Sequence, residues 1–200
     1  MSATPKPFSQ ACENNKQPIL DILSTAFTRS ATVWEIGSGT GQHACYFASK
    51  LPHMQWQPTD RVENLAGIEQ WRLESRLDNV LPALALDVAD VDWPGQAIEA
   101  LFTANTLHIM SWRLVEILFQ RLSGYLTEHA VACIYGPFNY GGRFTSDSNA
   151  NFDQWLKSRD PDSGVRDFEA VVVLAAQAGL TLVSDNTMPA NNRLLIFNKA

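Results

Sequence analysis

Short apolar runs alternate with segments of helical period along this chain, and that alternation predicts most of its elements. A short helix is expected over Ser9–Lys16. Ile19, Leu20, Ile22, Leu23 and Phe27 then recur at helical spacing, predicting a second helix with one buried face, and Pro18 suits its first turn. Val33, Trp34 and Ile36 make a compact buried strand, followed by a helix from Gln42 to Ala48. Met54–Asp60 reads as a second strand ending in an acid, and a polar helix with Trp71 and Leu73 leads to a third strand, Ala83–Val88. Ala100–Asn105 is the fourth strand, Trp112–Leu122 its helix and Val131–Tyr135 the fifth strand. An amphipathic helix over Val165–Ala178, closed by Gly179, precedes two final strands at Thr181–Val183 and Leu194–Phe197. Such β-α-β-α order implies an α/β fold with a mainly parallel sheet and helices on both faces. The short link between the last two strands implies one antiparallel strand. No repeat is visible, and one domain over residues 1–200 is expected, with 1–30 as a helical cap.

Residues 136–164 depart from this rhythm. Gly, Asn, Ser and Asp mix there with Phe138, Tyr140, Phe144, Phe152 and Trp155, and only Asn151–Lys157 suggests a helix. Long loops in compact domains are usually functional or disordered, and the aromatics argue against disorder. A substrate-side insertion is the expectation. Composition adds boundaries: 46% apolar and 18% charged residues describe an ordinary globular chain. A net charge of −6 with no basic run gives no footprint for a nucleic-acid partner. Cys12, Cys45 and Cys133 are too scattered for a disulfide framework or a metal site, and the four histidines are equally dispersed. No metal is therefore expected. Without a secretory pattern or an 18-residue apolar run, a cytoplasmic protein off the membrane is expected, of unknown oligomeric state.

The candidate chemistry lies where the first strand meets its helix, in Val33–His43. A glycine-rich turn at that junction lets backbone approach a ligand closely. A pyrophosphate-binding G-x-G-x-x-G fingerprint would need its third glycine at position 42, which is Gln42; the third glycine is Gly41 instead. The pattern is E-x-G-x-G-x-G, with Glu35 ahead of Gly37, Gly39 and Gly41. An acid there suits a cationic ligand and would repel a pyrophosphate. This stretch resembles motif I of the class I S-adenosylmethionine-dependent methyltransferases, which implies a seven-stranded Rossmann-like sheet and S-adenosyl-L-methionine as cofactor.

The resemblance extends end to end to one branch, the domain-of-unknown-function family 938, or methyltransferase-like 26 group. It is carried by Glu13–Leu20, by Asn105–Trp112 and by Tyr135–Gly142. Position 14 is Asn14, where relatives are expected to carry arginine. The resemblance implies that Glu35, Gly37, Ser38, Gly39 and Gly41 line the cofactor and that Asp60 accepts from its ribose hydroxyls. Asp87 would hold the adenine amino group, with Val88 offering its backbone N–H, although Asp90 and Asp92 compete for that place. Asn105 would steady the methionine moiety.

Methyl transfer from a sulfonium demands alignment and exclusion of water more than elaborate chemistry. His108, just past the fourth strand, is the candidate base if the nucleophile arrives protonated. Tyr135 and Tyr140 are candidates to orient the substrate, or else they pack. Asn14, Asn15 and Lys16 form either a polar lid edge or a solvated face. Asn105–His108 is not the D/N-P-P-Y/F pattern of enzymes that methylate nucleobase amines. A nicotinamide oxidoreductase is disfavoured by Gln42 and by the missing Tyr-x-x-x-Lys pair: His129 follows Tyr125 and Asn139 follows Tyr135 at that spacing. The expected function is methyl transfer to a small-molecule acceptor; the competing reading is a non-catalytic S-adenosylmethionine-binding protein acting through a protein partner.

Overall fold

A computed structural model describes residues 5–94 and 97–200. Seven strands form one mixed sheet: β1 (Thr32–Ile36), β2 (Gln55–Asp60), β3 (Leu84–Ala85), β4 (Ile98–Ala104), β5 (Leu126–Gly136), β8 (Leu180–Met188) and β9 (Asn192–Lys199), in the order β3-β2-β1-β4-β5-β9-β8. The pairs β1–β2, β2–β3 and β4–β5 are parallel, whereas β9 runs antiparallel to both β5 and β8. The expected single antiparallel strand is therefore β9. Two further strands, β6 (Phe138–Asn139) and β7 (Arg166–Asp167), pair with each other. The α/β class and the mainly parallel seven-stranded sheet stand as the sequence implied.

The chain divides into two compact units, one ending at Asp87 and the other beginning at Val88. In the first, α1 (Gln10–Ala26) packs on α2 (Gln42–Lys50), which packs in turn on α3 (Val62–Ser75) and β2. α1 is one helix, not the two that Pro18 suggested. Ser9 caps its start, its Oγ accepting from the Cys12 N–H, and the helix runs on through Pro18. Proline removes one helical hydrogen bond. Ile19, Leu20 and Leu23 are buried just beyond it, and their packing offsets that loss.

β3 is also shorter than the expected Ala83–Val88. Pro82 has no N–H for a ladder, and its carbonyl is held by the Gln57 side chain at 2.8 Å. Downstream the partner strand ends: Leu86 N–H bonds to the carbonyl of Asp60, the last residue of β2.

In the second unit α4 (Trp112–Tyr125) buries Val115, Leu118, Phe119 and Leu122 and packs on α6 (Phe168–Gln177), which lies against β8. The 136–164 segment is more ordered than its composition suggested. It contains β6 and a three-turn helix, α5 (Asp147–Arg159), capped by Ser146. The helix expected from Val165 begins only at Phe168, because Arg166 and Asp167 are drawn into pairing with β6.

Candidate functional site

The turn after β1 satisfies its own backbone. Gly37 and Ser38 N–H both donate to the Thr59 carbonyl at 3.0 Å, and Gly41 N–H donates to the Ser38 carbonyl at 2.9 Å. Gly39 N–H donates to Asp60 Oδ2 at 2.7 Å. The Gly37, Ser38 and Gly39 amides, which would cradle a phosphate in a dinucleotide-binding loop, are thus spent on β2, and that of Gly41 within the turn. Gly39 adopts φ +58° and faces open space, since a Cβ placed there would meet nothing within 4 Å. Gly41 differs: at φ +86° its Cβ would stand 3.0 Å from the Ile68 Cα, so glycine there permits the close approach of α3.

Glu35 is 1% exposed and turned inward. Its Oε2 accepts from Trp56 Nε1 and Ser38 Oγ, each at 3.0 Å. Burial lifts its pKa to about 8, so the group is largely protonated at neutral pH despite those two donors. It ties the turn to β2, and it is not the open anion that the sequence suggested.

Asp60 is the carboxylate presented to Gly39. Its Oδ1 accepts from Arg61 N–H and Asn64 Nδ2, both at 2.8 Å. With Gly39 on Oδ2, three of about four acceptor directions are filled. Asp87 is half-buried just past β3 and closes the first unit; Val88 is buried and opens the second.

Gln42, which sequence comparison registers only as a departure from a fingerprint, docks α1. Its Oε1 accepts from Ser9 N–H at 2.5 Å, and its Nε2 donates to Glu13 Oε1 at 2.9 Å. Beside it the His43 Nε2–H donates to Asn15 Oδ1 at 2.7 Å. Lys16 pairs with Glu13 and lies over the Tyr46 ring, while Asn14 bonds Gln10. The Glu13–Lys16 stretch therefore anchors α1 on the start of α2.

In the second unit, Asn105 follows β4 at φ +58°, a conformation asparagine tolerates, with its N–H bonded to the Tyr135 carbonyl at 2.9 Å. His108 follows in a turn and is 5% exposed. Its ring meets Phe152 edge to face at 5.2 Å and makes no hydrogen bond among the described residues. Burial, then the Arg166 charge, lowers its pKa to about 4, so the imidazole is neutral. Arg166 was missed by sequence reasoning because no spacing marks it. It holds the whole turn: Nε donates to the Leu107 carbonyl at 3.0 Å, and Nη2 to the carbonyls of Met110 and, at 3.0 Å, Asp162.

Tyr135 is buried in β5. Tyr140 stacks on Phe168 at 4.8 Å and donates its hydroxyl to Asp185 Oδ2 at 2.7 Å; burial, and then that bond, drives its pKa upward. Arg193 grips the other oxygen of Asp185 at 2.7 Å. The tyrosine hydroxyl is committed to β8.

Solved structures share this architecture. An O-methyltransferase family 2 protein from Planctomyces limnophilus DSM 3776, in complex with apigenin, is similar at TM-score 0.84 and 17% identity, over 95% of this chain and 58% of that one. An O-methyltransferase family protein from Burkholderia thailandensis matches at TM-score 0.82 and 17% identity, over 92% and 56%. The S-adenosylmethionine-dependent methyltransferase SibL matches at TM-score 0.79 and 18% identity, over 94% and 55%. This chain spans a little over half the length of those proteins, and at such identity the likeness establishes the fold: a class I methyltransferase fold. Residues 6–199 match the family described as "Protein of unknown function (DUF938)", and the chain belongs to that family.

Proposed function

We propose that this protein is an S-adenosylmethionine-dependent methyltransferase acting on a small-molecule acceptor. The observation that carries the reading is the turn after β1, whose Gly37, Ser38, Gly39 and Gly41 amides are consumed internally while Gly39 opens onto free space. Such a surface offers no phosphate cradle, and it suits a ligand with a sulfonium and an ammonium in place of a pyrophosphate. Gly37, Ser38, Gly39 and Gly41 would line the cofactor and Asp60 would take one ribose hydroxyl on its remaining acceptor direction. Asp87 and Val88 would serve the adenine and Asn105 the methionine end. When bound, S-adenosylmethionine supplies a methyl group made electrophilic by its sulfonium.

The rest is the work of the protein. His108, neutral and shielded, accepts a hydrogen bond from the acceptor's O–H or N–H and orients it. As the acceptor gains its methyl bond it becomes more acidic, and its proton passes to His108 and on to water. With a conjugate acid near pH 4 the imidazole is a weak base, so alignment and water exclusion supply most of the acceleration. Tyr135 and Tyr140 shape the acceptor side through packing.

Calorimetric titration with S-adenosylmethionine, S-adenosylhomocysteine and NAD in parallel tests the reading. Micromolar binding of the two sulfur ligands without NAD is expected. Absence of binding by both would overturn it.

A further inference from the structure

Within the first unit, a strap of chain ahead of α1 crosses the elements that carry the glycine turn. Lys6 pairs with Glu74 and lies over the Trp71 ring at 3.8 Å, and Trp71 Nε1 donates to the Pro7 carbonyl at 2.7 Å. Pro7 is seated on Gly67, where an added Cβ would come within 2.5 Å of the proline Cγ. All three anchors belong to α3, the helix whose Ile68 packs against Gly41. Glycine inside a helix weakens it relative to alanine, and what Gly67 secures in return is the close seat of Pro7. Two residues further on, Ser9 is clasped by Gln42: its N–H donates to Oε1 at 2.5 Å, and its carbonyl accepts from Nε2 at 3.4 Å.

The clasp is shared with the turn. Gln42 Oε1 also accepts from the Thr40 hydroxyl at 3.0 Å, and the Cys12 thiol in the first turn of α1 is within hydrogen-bonding reach of the Ser9 and Thr40 hydroxyls. Strap and turn therefore meet on one oxygen. Phe8 stands one residue before that junction on the strap, and Gly39 one residue before it on the turn. Phe8 is 61% exposed although the residues on either side of it are tied down. Isolated apolar side chains are common on protein surfaces. This one is carried by an anchored strap at the turn where nothing among the described residues comes within 4 Å of a Cβ placed on Gly39.

We propose that Lys6–Ser9 is a lid strap of the cofactor site and that Phe8 is its contact residue, the ring closing over S-adenosylmethionine bound at Gly39–Gly41. This rests on the methyltransferase reading and adds to it a residue that covers the ligand. An aromatic ring supplies a large apolar contact with only two torsions to fix. Because both ends of the strap are already anchored, closure orders little more than the Phe8 side chain. The shared Gln42 oxygen makes the Thr40 side of the turn move with the strap.

The test uses the full chain, S-adenosylhomocysteine as the ligand and iodoacetamide as a probe of Cys12, which is half-buried while Cys45 and Cys133 are buried. Calorimetry gives the affinity, and mass spectrometry of the Cys12 peptide gives its alkylation rate. In the wild type, saturating ligand is expected to slow Cys12 alkylation severalfold. Phe8→Ala should bind S-adenosylhomocysteine about tenfold more weakly, the scale of one buried aromatic contact. At saturation it should lose most of the Cys12 protection, and it should melt with the wild type because the ring is exposed. Phe8→Leu keeps an apolar contact and should recover most of the affinity. Gly67→Ala lifts Pro7 from α3 without altering the turn. It should weaken the ligand severalfold while its melting temperature holds or rises, since alanine favours the helix. A Phe8→Ala protein that binds as the wild type does, or that keeps full protection of Cys12, overturns the proposal. So does a several-degree fall in its melting temperature, which would mark Phe8 as a packing residue, and so does unchanged affinity in Gly67→Ala. Failure of the wild type to bind S-adenosylhomocysteine would instead remove the methyltransferase reading and the lid with it, whereas failure of the lid alone leaves wild-type binding intact.

Discussion

The turn after β1 and the turn after β4 handle their polar groups in opposite ways. Around Gly37–Gly41 the named amides and the Glu35 and Asp60 carboxyls find partners inside the first unit. In the second unit the His108 imidazole and the buried Asn139 Oδ1 make no hydrogen bond among the described residues, while Arg166 holds the backbone around His108. On the proposed reading, the first arrangement would select its ligand by shape more than by spare donors. The second keeps unsatisfied polarity that a bound molecule could relieve.

The contrast breaks most severely at Gly41. Gly41→Val imposes a side chain at φ +86° and drives Cβ to 3.0 Å from the α3 backbone. Urea unfolding should show a loss of about 3 kcal/mol or more, combining steric clash with left-handed strain. Asp60→Ala should leave the protein folded and weaken S-adenosylmethionine by about 1–3 kcal/mol, measured by calorimetry. Unchanged affinity would move the ribose elsewhere.

A pH series sharpens the comparison further. The Glu35 pKa rises on folding from 4.5 to about 8, so its contribution to stability falls as pH climbs through that window. Glu35→Gln should flatten unfolding free energy between pH 5 and 8. The imidazoles of His43 and His108 are lowered from 6.5 to about 4, so they weaken the fold as pH falls across that range, and His108→Gln should remove part of the loss. The smallest effect is expected from Tyr140→Phe. Deleting the hydroxyl bonded to Asp185 should cost about 1 kcal/mol in unfolding and leave cofactor affinity unchanged. A large loss of affinity would return Tyr140 to the site.

Legibility in the sequence followed the range of the interaction. The strand–glycine–helix junction at Val33–His43 is local, so periodicity and spacing displayed it without a fold. The end of β3 was not legible, because it depends on where β2 stops at Asp60. Nor was the inward turn of Glu35, decided by Trp56 on the neighbouring strand.

The sequence by itself determined the α/β order, the single antiparallel strand near the end, and the glycine spacing that distinguishes this turn from a dinucleotide fingerprint. These depend on side-chain period and backbone freedom, which neighbouring residues express directly. Only the tertiary structure decided that α1 is continuous through Pro18, that Glu35 is buried and protonated, and that Tyr140 serves β8. It alone brought Arg166 onto the backbone carbonyls around His108. Those outcomes depend on burial and on partners dozens of residues away, and no local pattern encodes which distant group will take a hydrogen bond.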